Sequence, residues 1–193
     1  MKSSRTNTSG FTLFEIMIVM AIIIILLGIW IFPYRLHMQR AYTERAADWI
    51  SQEWILAHKA VRSGIEFDPV SRSHARILMV FEKWKSEIAT YLVASGVTIN
   101  DVTSLPIGPT SLQKYKSLIL EDGVSITGFT GDIFTSTTTV GYMISPPSGS
   151  GIFFTGSLIS GMPLKNVRLI VGYPGAFADA WRSREVLLRW YLQ

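Results

Sequence analysis

Few residues in this chain are of types and spacings that do chemistry. The absence of cysteine excludes thiol catalysis, disulfides, iron–sulfur ligation and thiolate metal sites. Ser111-Leu112-Gln113-Lys114 fits S-x-x-K, in which a lysine assists a serine nucleophile, yet it lies in a predicted loop without the companion motifs of serine acyl-enzymes. His37, His58 and His74 stand too far apart for a metal-ligand spacing and read as surface or helix-flank residues. No G-x-G-x-x-G, Walker sequence or H-E-x-x-H occurs. The sequence thus supports no enzyme and implies neither metal nor cofactor. Two sets of residues remain. Arg182, Arg184 and Arg189 interleave with Trp181, Trp190 and Tyr191, a mixture able to neutralise phosphates and stack on bases. The structural alternative is a terminal strand with Val186, Leu188, Trp190 and Leu192 facing the core. Arg182 and Arg184 would then share the core parity while Arg189 points away, so the three form one stripe only if the segment turns near Glu185. The second set is a single residue, Glu15, the only charge between residues 11 and 32.

The 193 residues suit one modest domain plus an appendage, and the mean hydropathy of +0.30 is inflated by one block, FTLFEIMIVMAIIIILLGIWIF at residues 11–32. As a helix those 22 residues extend about 33 Å, enough to cross a bilayer. The preceding ten, MKSSRTNTSG, are polar and carry Lys2 and Arg5, like the basic n-region of an export signal, but the apolar run continues into Pro33-Tyr34-Arg35 with no A-x-A site for signal cleavage. The apolar block is expected to stay in the mature protein. Basic residues on both sides, Lys2 and Arg5 against Arg35, Arg40 and Arg45, leave its orientation open. A carboxylate inside such a span is costly unless something offsets it. Thr12-Leu13-Phe14-Glu15 matches the S/T-x-x-E capping box, which places the acid in the first turn, favourably for the helix dipole. Alternatively Glu15 meets a positive charge from a neighbouring subunit, and the two roles are compatible.

Gly10-Phe11-Thr12-Leu13-Phe14-Glu15 ahead of a long apolar helix resembles the class III leader of type IV prepilins and pseudopilins. The resemblance implies cleavage between Gly10 and Phe11 by a membrane-embedded prepilin peptidase, N-methylation of Phe11, and an N-in, C-out topology in the inner membrane. It further implies that Glu15 pairs with the terminal amine of an adjacent subunit during assembly. Loss of the leader takes two of the 18 basic residues and none of the 14 acidic ones, leaving a formal side-chain charge of +2.

Beyond Pro33 an amphipathic stripe runs through Met38, Tyr42, Ala46, Trp49 or Ile50, Trp54, Ala57 and Val61, ending near Gly64 with Arg62 in the last turn. Gly28 and Pro33 mark a place where the helix can loosen. Residues 77–84 and 88–93 predict a hairpin around Lys85-Ser86-Glu87, residues 95–109 a Pro/Gly/Ser-rich loop, and residues 123–129, 133–144, 151–158, 167–173 and 185–192 a succession of short strands between turn signals. One long helix followed only by strands predicts an α+β fold, antiparallel sheet on the helix's amphipathic half. That matches the pilin fold which the resemblance implies.

The expected organisation is a leader at 1–10, a transmembrane and assembly helix at 11–32, its amphipathic continuation at 33–64 and a β-rich head at 65–193. More narrowly, the order of elements is similar to minor pseudopilins of the GspH/FimT type, although Gly175-Ala176-Phe177-Ala178 replaces the late glycine-arginine signature. The resemblance implies a structural subunit of a type IV pilus or a type II secretion pseudopilus. Its expected partners are prepilin peptidase, other pilin or pseudopilin subunits, the inner-membrane assembly platform and membrane lipid. Such a protein is single-pass in the inner membrane and, after assembly, part of a periplasmic or extracellular filament. The alternative is a minor pilin that binds DNA for uptake through Arg182, Arg184 and Arg189.

Overall fold

The computed structural model describes residues 11–68, 73–99, 102, 105, 107–108, 111–121, 123–131, 138–155, 166–174 and 183–189. The chain forms two compact units, Met1–Met38 and Gln39–Gln193. A single helix, α1, runs over Leu13–Arg62 with Pro33 in its interior, where the missing N–H leaves one backbone carbonyl without its usual donor. The helix ends in a Schellman motif. Gly64 adopts φ +80°, its N–H bonds the carbonyl of Val61 at 3.1 Å, and the N–H of Ile65 bonds that of Ala60 at 3.2 Å.

Among the described residues of the second unit α1 is followed by ten strands: β1 (Glu66–Asp68), β2 (Ser73–His74), β3 (Arg76–Glu82), β4 (Glu87–Val93), β5 (Leu112–Ile119), β6 (Ser125–Gly131), β7 (Thr139–Ser145), β8 (Ser150–Phe154), β9 (Asn166–Gly172) and β10 (Ser183–Arg189). All pair antiparallel, as a β1–β2 pair, a five-stranded sheet in the order β5-β4-β3-β7-β8 and a three-stranded sheet in the order β10-β9-β6. The α+β expectation holds. The tip of the β3–β4 hairpin joins the sheets, since Trp84 donates its backbone N–H to Ile126 and Lys85 accepts from Ile126.

The predicted stripe of α1 is the buried one: Ala46, Ile50, Trp54, Ala57 and Val61 lie against Ile77, Met79 and Phe81 of β3, Tyr142 of β7 and Leu169 of β9. Trp49 is 40% exposed, which settles the choice in favour of Ile50. Strand β3 alternates Ile77, Met79 and Phe81 toward the helix with Leu78 and Val80 toward a second cluster that contains Ile99, Val102 and Leu112. Being central, it is buried on both faces and reads as an unbroken apolar run. Residues 95–109, expected as a Pro/Gly/Ser-rich loop, supply Ile99 and Val102 to that outer layer.

Strand β5 corrects the sequence reading, which left Ser111 to Lys114 in a loop: Leu112, Gln113 and Lys114 are the first three residues of the edge strand. The predicted strands at 133–144 and 151–158 are Thr139–Ser145 and Ser150–Phe154 where described, with 132–137 and 156–160 outside the described residues. Trp54, 5% exposed and stacked on Tyr142 at 3.9 Å between ring centroids, anchors the helix to the sheet. Replacing Trp54 by Ala is expected to cost about 3–5 kcal/mol of head stability. The measurement is the urea midpoint of the full chain in detergent, and an unshifted midpoint would contradict the packing described.

Candidate functional site

The N-terminal site begins with a helix start that satisfies itself. Thr12 precedes the first helical residue, Leu13, and caps it. The Thr12 backbone N–H and hydroxyl both donate to Glu15 Oε2 at 2.9 Å, while the Glu15 N–H donates to Thr12 Oγ1 at 3.2 Å. This reciprocal pair is a capping box, the local reading of the acid. Among the described residues Glu15 Oε1 takes no hydrogen bond, so one oxygen of the capped carboxylate is unengaged. Phe11 is 84% exposed, and Gly10 lies outside the described residues.

Downstream of the cap the apolar residues have nothing to pack on among the described residues. An 18-residue window of the helix has mean hydropathy 3.0 and is 0% buried, long and apolar enough to cross a membrane. An exposed apolar surface of this extent requires lipid or other protein chains around it. Residues 5–31 match the prokaryotic N-terminal methylation motif. The motif covers the predicted cleavage point, Glu15 and most of the apolar helix. The segment is therefore a type IV prepilin-like leader of class III joined to a single anchoring helix, processed by prepilin peptidase and built for assembly with other pilins. No curated protein and no solved structure matches the chain.

The C-terminal arginines are not brought together by anything described. Arg184, in β10, donates to Glu44 Oε1 of α1, and Arg40 Nε reaches the same oxygen at 3.0 Å. These two guanidinium groups, Arg184 foremost, hold the Glu44 carboxyl below its ordinary pKa. Arg184 thereby ties β10 to the helix. Arg182 lies outside the described residues, and Arg189 is described only in its backbone, at the end of β10. The strand continues through Glu185 without a turn, burying Val186 and Leu188 on one face and exposing Leu187 on the other.

Of the remaining candidates, Lys114 is engaged by Glu87 at 2.7 Å, which raises its pKa, the opposite of what a lysine base needs. Among the described residues no group of three or more His, Asp or Glu side chains converges as a metal site would require. His58 was expected at the surface or helix flank; it is instead half-buried and hydrogen-bonded through both ring nitrogens. Sequence reasoning missed it because both partners, Gly149 and Tyr142, are remote in the chain.

Proposed function

We propose that this chain is a minor pilin or pseudopilin: a structural subunit cut between Gly10 and Phe11, methylated on Phe11, and assembled into a pilus or secretion pseudopilus through the helix over residues 11–32. The observation that carries the reading is the methylation motif at residues 5–31 running directly into an apolar helix that no described part of the chain covers. Glu15 has a free oxygen at the end of that helix, suited to the ammonium of a neighbouring subunit. In the membrane the helix would be surrounded by lipid; in the filament the same surface would pack on equivalent helices. The head stands outside the cytoplasm in this reading, and the assembly platform draws subunits from the inner membrane. A helix followed by the β3–β4 hairpin and late antiparallel strands supports the GspH/FimT type.

DNA uptake is the less supported role, because Arg184 would have to release Glu44 before contacting phosphate. Mass spectrometry of the mature amino terminus tests the main reading. The expected species begins at Phe11 and is heavier by one methyl group. Recovery of intact residues 1–10 from cells that contain the peptidase would overturn it.

A further inference from the structure

One part-buried polar arrangement in the head serves none of the roles above. His58, on the penultimate turn of α1, has Nδ1 3.0 Å from the carbonyl oxygen of Gly149, in the turn between β7 and β8, and Nε2 3.0 Å from the hydroxyl of Tyr142 on β7. A carbonyl oxygen only accepts, so Nδ1 carries a proton. In the neutral ring Nε2 is then a lone pair, and it accepts the Tyr142 O–H. The chain of donors runs in one direction, Tyr142 to His58 to Gly149, and links the helix to the sheet and to the turn.

The site is built to hold that state. Tyr142 is 0% exposed, and its ring lies 3.9 Å from Trp54 and 4.3 Å from Phe153 between centroids. Gly149 sits at φ +69°, and a Cβ there would lie 2.9 Å from Arg62 Nε, so the turn is closed down onto the helix. A second proton on His58 would aim Nε2–H at the Tyr142 oxygen. The tyrosine would have to turn its own hydroxyl proton away, and no other acceptor for it stands among the described residues. A buried donor without an acceptor is costly.

Among the described residues nothing charged nearby compensates. Arg62 of α1 is a like charge that disfavours the imidazolium; Tyr142 is the only titratable group facing the ring from β7; the turn, Ser145-Pro146-Pro147-Ser148-Gly149, and β8 carry no charge. His74 of β2 lies beyond, against Gly64. Burial, foremost, and Arg62 together hold the His58 pKa below its ordinary value, only partly offset by the bond to Gly149, and burial pushes that of the Tyr142 phenol up.

We infer that His58, Tyr142 and the Gly149 carbonyl form a pH-sensitive latch that fastens the β7–β8 turn to the end of α1 at neutral pH and releases it when His58 gains a second proton. As pH falls, the unfolded chain takes up this proton first, near pH 6.5, and the folded head only later. The contribution of the latch is therefore complete above about pH 6.5 and is lost as pH drops through the lower folded midpoint.

The test uses the full chain in detergent micelles. Long-range nitrogen–proton spectra of histidine-labelled protein, assigned with His37→Gln and His74→Gln variants, should show one neutral ring protonated on Nδ1 and titrating below 6.5. Hydrogen exchange, corrected for intrinsic rates, should show the amides of Ser145, Ser148, Gly149 and Ser150 losing protection by up to about tenfold per pH unit between about pH 6.5 and the folded midpoint, the limit for a single proton, and levelling off below it. In His58→Gln, which cannot titrate but keeps a donor and an acceptor, that pH dependence should vanish. In Tyr142→Phe the imidazole midpoint should move up toward its ordinary value. A wild-type ring titrating at or above 6.5, a ring protonated on Nε2 alone, or pH-dependent protection that persists in His58→Gln would overturn the latch.

Discussion

On the proposed pilin role, a Glu15→Ala chain should be cut and methylated as usual but fail to enter the filament, with the association of each subunit contact weakened about ten- to a hundredfold, the range expected for losing one charged hydrogen-bonded partner. Alanine removes two things at once, the cap on Thr12 and the charge, so a second variant must separate them. Glu15→Gln keeps the capping box, because an amide oxygen accepts from the Thr12 N–H and hydroxyl as the carboxylate does. It removes only the charge. If Glu15 is there for the helix start alone, Glu15→Gln assembles normally. If its open oxygen receives an ammonium from the next subunit, Glu15→Gln fails nearly as badly as Glu15→Ala. Counting filaments per cell alongside the mass of the mature amino terminus distinguishes failed assembly from failed processing. A Glu15→Gln chain that polymerises like the parent would remove the intersubunit role.

The features legible in the sequence are those fixed by short-range spacing. The apolar block, the Thr12–Glu15 box and the stripe from Tyr42 to Val61 are each set by neighbours within four residues, and Gly64 announces the helix end because its backbone needs a positive φ. Central strand β3 was visible because burial on both faces makes it continuously apolar. Edge strand β5 was not, for the complementary reason. It shows Gln113, Lys114, Tyr115 and Lys116 in succession, its middle is exposed, and its register with β4 shifts at Thr90 and Tyr91. Charged residues and a bulge on an edge discourage pairing with other chains, and they also erase the alternation by which a strand is recognised. The polar links were hidden more deeply. Arg184 finds Glu44 across 140 positions, and His58 finds Tyr142 and Gly149 across 84 and 91. No local pattern encodes such meetings; they exist only once the two sheets have laid β7, β8 and β10 against the helix.

Gly151→Ala should be among the most damaging single substitutions in the head. Gly151 pairs with Ile144 across the β7–β8 ladder and lies diagonally from Tyr142, which pairs with Phe153. A Cβ at this position would stand 1.9 Å from Tyr142 Oη, 2.1 Å from Cζ and 2.5 Å from Cε2. The phenol cannot step aside. Trp54 and Phe153 pack against its ring, and its hydroxyl is bonded to His58. The strand must move instead, at a cost of about 3 kcal/mol, the upper end of what overpacking usually exacts. Gly128→Ala is the control. Among the described residues its Cβ would meet only Ile170 Cδ1, at 3.6 Å, an ordinary contact, so its urea midpoint should stay within the span of about 1 kcal/mol expected for a benign glycine replacement. If Gly151→Ala shifts the midpoint no more than Gly128→Ala does, the Tyr142 ring is not seated over Gly151. If the large shift appears, the same variant should also move the His58 midpoint up toward its ordinary value, because a strained strand loosens the bond that Tyr142 donates to Nε2.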